Sequence, residues 1–406
     1  MEIYLKIGLA VVIALVASLA ITPLVKKFAQ RVGAMDVPKD ARRVHKHPIP
    51  RLGGLAIFVG FLISVLFLAE IDRQVQGILL GAVVIVIVGV IDDIMPLPAL
   101  LKFFVQIIAA LIAVFHGVEI EIFSNPNVFS AEPYVDLGVL SIPLTVFWIV
   151  AITNSVNLID GLDGLAVGVS TISSVVMLVI ALMVADTNVA VIMAALAGAC
   201  LGFMPYNFNP AKIFMGDTGA LLLGYVLATV SIIGLFKFYA VVSFAVPFLV
   251  LALPLFDTSF AFLRRLVKGQ NPMSPDRGHF HHRLLDMGLS QKQAVAILYA
   301  ISVLLGLAAV VITTSDEIRA IILIAAVVVA AAIVYFVFRS NKRAALDKMP
   351  EEGESRDCAD NTQATQDNTT DLELEEASQD AEEQTVTAAV GNEDRSKTSK
   401  RESEDK

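Results

Sequence analysis

Charge is scarce in this 406-residue chain, and so are cysteine and tryptophan. Only 17% of the residues are Asp, Glu, Lys or Arg, against 56% hydrophobic. A soluble domain cannot cover that much apolar surface, which excludes a water-soluble globular enzyme and predicts an integral membrane protein. Two cysteines far apart, Cys200 in an apolar run and Cys358 in a polar one, exclude a disulfide framework and a cysteine-based metal site. No cleavable leader is expected either. The first apolar run, about 7–25, is too long for a signal core and ends in Lys26 and Lys27 without a small-residue cleavage pattern, so it reads as a retained helix. No clear internal repeat and no soluble domain stand out.

Eleven apolar runs are long enough, or nearly so, to cross a bilayer: 5–25, 53–69, 77–91, 99–116, 140–153, 165–184, 189–204, 218–236, 239–262, 293–313 and 319–338. The runs at 77–91 and 140–153 fall short of the ~20 residues a span needs and borrow flanking residues. The expected fold is all-α: a polytopic membrane protein of about eleven transmembrane helices, with a transmembrane domain over 1–340 and a cytoplasmic tail over 341–406. Residues 351–406 hold 18 acids and 6 bases, and the rest of the chain 21 acids and 24 bases. The net charge of −9 therefore belongs to the tail, whose polar composition cannot bury a core and predicts disorder.

Lysine and arginine follow a parity. Loops after the odd-numbered helices carry nearly all of them, Arg42, Arg43, Lys46 and Arg51 in one loop and Arg264, Arg265 and Lys268 in another. The positive-inside rule assigns these loops and the C-terminus to the cytoplasm, in a multi-pass protein of the cell membrane. Between helices 4 and 5, "GVEIEIFSNPNVFSAEPYVDLG" (117–138) alternates around Asn-Pro and predicts a small outer hairpin.

The unusual polar residues obey the same parity. Asp92 and Asp93 end the third run with no basic residue before Lys102, so the pair reads as unneutralised until partners arrive from solution. "NSVNLIDGLDG" (154–164) follows the fifth run, "YNFNPAKIFMGDTG" (206–219) the seventh, and "PDRGHFHHRL" (275–284) the ninth. Each has a plain structural reading: a solvated acid pair, a Gly-rich turn, a Gly-Asp turn, a polar surface. Their convergence on one face carries more weight than any single motif. Carboxylates and Asn oxygens suit a hard cation, Mg²⁺ first. Arg and His suit phosphate oxygens, and the combination suits phosphoryl transfer between a soluble nucleotide and a lipid phosphate.

The motifs "PRLGG" (50–54), "DD" with Lys102 downstream, "NSVNLIDGLDGLA", "FNPAKIFMGDTGALLLG" and "PDRGHFHHRLLDMGLSQKQAV" resemble, in order and topology, the polyprenyl-phosphate N-acetylhexosamine-1-phosphate transferases. The resemblance covers roughly residues 1–340, and the form of the histidine motif is similar to the N-acetylglucosamine branch of that family. It implies transfer of N-acetylglucosamine 1-phosphate from UDP-N-acetylglucosamine to undecaprenyl phosphate, with Mg²⁺ (or Mn²⁺ in its place). By the same resemblance Asp217 is the principal metal ligand and Asn157 a second oxygen donor. Asp92 is the base toward the lipid phosphate, with Asp93 assisting, and Lys102 contacts a substrate phosphate. Asn154 and Asp160 order the loop around the metal, and Asp163 reads the uracil edge. His279, His281, His282 and Arg283 hold the pyrophosphate or the sugar, and Asp257 has a structural part. The expected partners are the two substrates and membrane lipid, with no nucleic acid; a homodimer is a further expectation. Alternatives are another UDP-N-acetylhexosamine or UDP-muramoyl-pentapeptide as donor, a cation-coupled transporter, and an intramembrane aspartyl protease suggested by "MGDTG".

Overall fold

A computed structural model of the chain describes residues 2–38, 47–124, 134–234, 242–267, 269, 279–314, 324 and 327. Helices dominate them: α1 (Glu2–Val32), α2 (Gly54–Leu68), α3 (Arg73–Ile94), α4 (Ala99–Phe115), α5 (Ser141–Ile159), α6 (Leu165–Met183), α7 (Thr187–Asn207), α8 (Gly216–Gly234), α9 (Val242–Val250), α10 (Ala252–Val267), α11 (Phe280–Asp286) and α12 (Gln291–Thr314). Among the described residues seven helices are long and apolar enough to cross a membrane, and α2 and α4 are shorter apolar helices. The chain is an all-α, multi-pass membrane protein. Apart from two positions in the run, the expected helix at 319–338 and the acidic tail lie outside the described residues.

Small residues set the closest helix contacts, as expected where lipid supplies no hydrophobic drive between helices. A Cβ on Gly202 or Gly198 of α7 would collide with the backbone of Leu15 or Val11 on α1, and one on Gly60 of α2 would meet the Ala14 carbonyl at 2.7 Å. Ser64 donates to the Ala10 carbonyl at 2.9 Å and ties α2 to α1. Helix α8 runs through the middle, buried from Thr218 to Gly234. A helix apolar on all sides and covered on all sides is the core of a bundle.

One expectation needs correction. The run 239–262 is not a single helix but two, α9 and α10, separated at Leu251. Pro254 has no N–H to offer the carbonyl of Val250 four residues back. That carbonyl instead accepts from Ser173 of α6 at 2.9 Å. Pro23 inside α1 is handled in the same way: the Leu19 carbonyl it cannot serve lies 3.4 Å from the Tyr206 hydroxyl.

Two antiparallel ladders complete the fold. Strands β3 (Ile122–Ser124) and β4 (Tyr134–Asp136) pair antiparallel, as the expected hairpin requires. Strands β1 (Met35–Asp36) and β2 (Ile49–Pro50) pair at the opposite end, and Arg51 continues the ladder as a parallel bridge to Phe214. The carbonyl of Pro50 accepts from Phe214 N at 2.8 Å, and Gly53 N and Gly54 N donate to Phe214 and Met215, both at 2.9 Å. The "PRLGG" segment is thereby laid along the strand that leads into Asp217.

Candidate active site

The fold gathers the sequence motifs at one end of the bundle. Helix α8 starts there with Gly216, which lies in the left-handed region at φ +72°. Its first N–H groups find their acceptor on another helix. Asp93, with no side-chain exposure, takes Asp217 N at 3.0 Å, Thr218 N at 3.0 Å and the Thr218 hydroxyl at 2.7 Å. A carboxylate at a helix N-terminus suits both the orphan donors and the helix dipole. Asp93 therefore caps α8 from the last turn of α3.

The idea that the acid pair lacks a basic neighbour is overturned. Arg51 donates from Nε to Asp93 Oδ1 at 3.0 Å, with an Nη atom at 2.9 Å from the same oxygen. Lys102 Nζ lies 3.0 Å from Asp92 Oδ2 and 2.8 Å from Asp217 Oδ2. Spacing along the chain hid both, because the partners are 42 and 10 residues away and the link to Asp217 spans 115. The adjacent acids also have separate surroundings. Asp92 holds Leu97 N at 2.7 Å in the turn between α3 and α4, and faces Lys102.

A cavity of about 370 Å³ opens beside these groups. Asp217, Asn157, Asp160, Asp163 and His282 line it, together with Arg51, Asp36, Asn207 and Gln291, which received no role from the sequence. Asn157 donates to Asp217 Oδ1 at 3.3 Å. Enclosure pushes the Asp160 carboxyl up to about 7, with Asp217 and then Asp93 adding repulsion. Asp163 accepts from Asn209 Nδ2 and Ala211 N, both at 3.0 Å, and so also pins the turn leading to Phe214. Asn207 bridges two motifs, taking Gly164 N at 3.1 Å and donating to the Ile213 carbonyl at 3.1 Å.

The histidine motif divides. Asp257 of α10 accepts from Phe280 N at 2.6 Å and sits 3.0 Å from His279 Nδ1, fixing the start of α11. His281 lies parallel to His279 with ring centroids 5.7 Å apart, and is buried where a Cβ on Gly161 would strike its Nε2. Burial, and then His282, push its pKa down to about 4. His282 alone of the three reaches the cavity wall.

Two expected site residues stand apart. Arg283 is exposed and covers the Phe260 ring at 4.8 Å. Asn154 donates to the Val150 carbonyl at 2.8 Å and pairs with Gln106, joining α5 to α4.

Among the described residues no three His, Cys, Asp or Glu side chains form a closed metal cage. The donors present are nonetheless hard oxygens, and two carboxylates already converge on one cation, the Lys102 ammonium. Mg²⁺ is usually held by one or two carboxylates with substrate phosphates and water, so this set fits that ion.

Comparison with known proteins agrees with the geometry. The family model described as Glycosyl transferase family 4 matches residues 75–235. The chain is 41% identical over 312 residues to the probable undecaprenyl-phosphate N-acetylglucosaminyl 1-phosphate transferase of Bacillus subtilis (strain 168), covering 77% of this chain and 86% of the relative. It is 37% identical over 306 residues to the decaprenyl-phosphate N-acetylglucosaminephosphotransferase of Mycolicibacterium smegmatis, covering 68% and 74%. A phospho-N-acetylmuramoyl-pentapeptide-transferase of Thermoanaerobacter sp. is 37% identical over 243 residues, covering 56% and 75%. With its acids joined through Lys102 beside an oxygen-lined cavity, the chain belongs to glycosyl transferase family 4, among the polyprenyl-phosphate N-acetylhexosamine-1-phosphate transferases.

Proposed function

We propose that this protein transfers N-acetylglucosamine 1-phosphate from UDP-N-acetylglucosamine to undecaprenyl phosphate at the cytoplasmic face of the membrane. The products are undecaprenyl-pyrophosphoryl-N-acetylglucosamine, which would begin a cell-surface glycan, and UMP. The observation that carries the reading is the meeting of Asp92 and Asp217, from separate helices, on Lys102, with Asp217 also lining a cavity of about 370 Å³. The names of the relatives from B. subtilis and M. smegmatis support the sugar and the polyprenyl acceptor. The Lys and Arg parity supports the cytoplasmic side.

In this reading an oxygen of the lipid phosphate attacks the phosphorus that bears the sugar. The bond from that phosphorus to the bridging oxygen breaks, and UMP leaves with the bond's electrons. Asp92 takes up or orients the proton of the lipid phosphate. Asp217 and Asn157 are the residues that would hold Mg²⁺, with Asp160 beside them. When bound, the ion would offset charge on the diphosphate. Lys102, released from Asp217, neutralises an incoming phosphate. Asp93 acts through the position of α8 and not on the substrate. Asp163 and His282 face the nucleotide sugar, and His279 and His281 support His282 from behind. A transporter is disfavoured because the acids sit at helix ends on one side of the bundle and not at its middle.

The test is incubation of the purified protein with undecaprenyl phosphate, Mg²⁺ and a panel of UDP-sugars, with the lipid product identified by mass. A product heavier by N-acetylglucosamine 1-phosphate, with equimolar UMP, is expected. Transfer from a different UDP-sugar alone would reassign the donor, and no UMP from any of them would overturn the reading.

A further inference from the structure

The cavity poses an electrostatic problem for the substrate proposed above. Asp36, Asp160, Asp163 and Asp217 all line it, yet a nucleotide sugar brings a diphosphate of two negative charges. Arg51 is the only lysine or arginine among the described residues in the lining. Lys102 is not in that lining; its ammonium lies between Asp92 and Asp217.

Arg51 is also held in a way that suits a binding group. Its backbone is fixed on both sides, by Arg51 N to the Ala34 carbonyl at 3.0 Å and by the bridge to Phe214. Its guanidinium is anchored from behind by Asp93, which is fully enclosed, while Arg51 keeps 26% of its side chain exposed toward the cavity. One Nη atom stands 3.9 Å from Asp217 Oδ1, next to the proposed metal ligand. A guanidinium has five N–H donors in a planar fork that matches phosphate oxygens two at a time. The contacts to Asp93 engage its Nε and one Nη. A side chain locked by a buried carboxylate binds its ligand without first losing rotamer freedom.

We propose that Arg51 binds the diphosphate of the nucleotide donor, with Asp93 as the carboxylate that orients it. The inference rests on the donor reading above and deepens it: the donor's phosphates are met by an arginine from the loop after α1, as well as by groups on the central helices. The competing reading makes Arg51 only a counter-ion for buried Asp93. Lysine separates the two, since it keeps the charge opposite Asp93 but loses the fork.

The experiment measures steady-state kinetics and UMP binding by calorimetry for Arg51→Lys and the parent, each with its thermal midpoint. An unchanged midpoint is expected, with a KM for the UDP-sugar raised roughly tenfold or more, as losing a charge-assisted bidentate contact implies. UMP affinity should fall in parallel, while the KM for undecaprenyl phosphate stays within about twofold, the margin being small beside the ~1.4 kcal/mol of a tenfold change. Unchanged donor KM and UMP affinity, or equal shifts for both substrates, would overturn the proposal. If Arg51→Lys does not fold, Asp93→Asn is compared with Asp93→Asn/Arg51→Gln, in which no buried charge is stranded. The added Arg51→Gln change should then lower UMP affinity, and equal affinities would overturn the proposal. A parent that binds UMP but transfers no sugar phosphate from any UDP-sugar would instead sink the function proposed above.

Discussion

Asp93→Asn is an isosteric change whose cost can be worked from the contacts. The carboxylate serves four donors: Asp217 N and Arg51 on Oδ1, Thr218 N and the Thr218 hydroxyl on Oδ2. Asparagine has one oxygen. Whichever way its amide turns, the NH₂ group faces a backbone N–H at the start of α8. One amide is left unsatisfied, at about 1–3 kcal/mol. Arg51 also loses its counter-charge. Removing one partner of a buried pair costs ~3–5 kcal/mol, but Arg51 is 26% exposed and water recovers part of that. The two penalties overlap, and about 3 kcal/mol in all is expected. Thr218→Val removes only the hydroxyl bond and should cost about 1 kcal/mol. Equilibrium unfolding in mixed micelles measures both. A parental midpoint for Asp93→Asn, or a larger loss for Thr218→Val, would refute the capping role.

Two further outcomes follow from the same geometry. Gly54→Ala would place a methyl 2.6 Å from the Thr218 carbonyl carbon and closer still to the Gly219 backbone, so α2 and α8 must separate beside Asp217. A loss of ~1–3 kcal/mol is expected, with activity falling well beyond that of Gly8→Ala, whose Cβ meets nothing within 4 Å; equal activities would count against the clamp. His281 titrates near 6.5 when unfolded but is held at about 4 when buried. Its contribution is complete above pH 6.5 and is lost as pH falls toward 4, up to ~3 kcal/mol. His281→Gln should flatten the fall in unfolding midpoint between pH 6.5 and 4.5, and parallel curves for the two proteins would contradict this.

Hydropathy made α1 and α8 legible because a membrane span is a composition before it is a pattern. It could not show the break at Leu251, since the residues on both sides are equally apolar and only Pro254 marks the lost hydrogen bond. The site motifs were legible as polar residues where polarity is costly. Their pairings were not. Asp93 reads as a twin of Asp92, but α3 turns it toward α8, and helical neighbours face different ways. Arg51 stood in a quoted motif yet looked like one more basic loop residue; only the ladder to Phe214 shows that it faces Asp93 and Asp217. The partners of Asn154 were hidden too. It belongs by sequence to the "NSVNLIDG" motif, but lies almost a full turn before Asn157 and meets Gln106 instead.

The four-donor arrangement around Asp93 also constrains the birth of the protein. A chain emerges N-terminus first, and Asp93 is made 124 residues before the Asp217 amide that it will accept. Until α8 arrives, the acid ends a newly inserted helix with none of its helix donors. Arg51, 42 residues upstream, is already present. The ion pair can thus form first and offer α8 a ready acceptor as it enters the bundle. The cavity-lining His282 and Gln291 are made later still. A nascent chain halted after α8 thus carries Asp92, Asp217 and the Lys102 between them, but lacks two residues of the cavity wall.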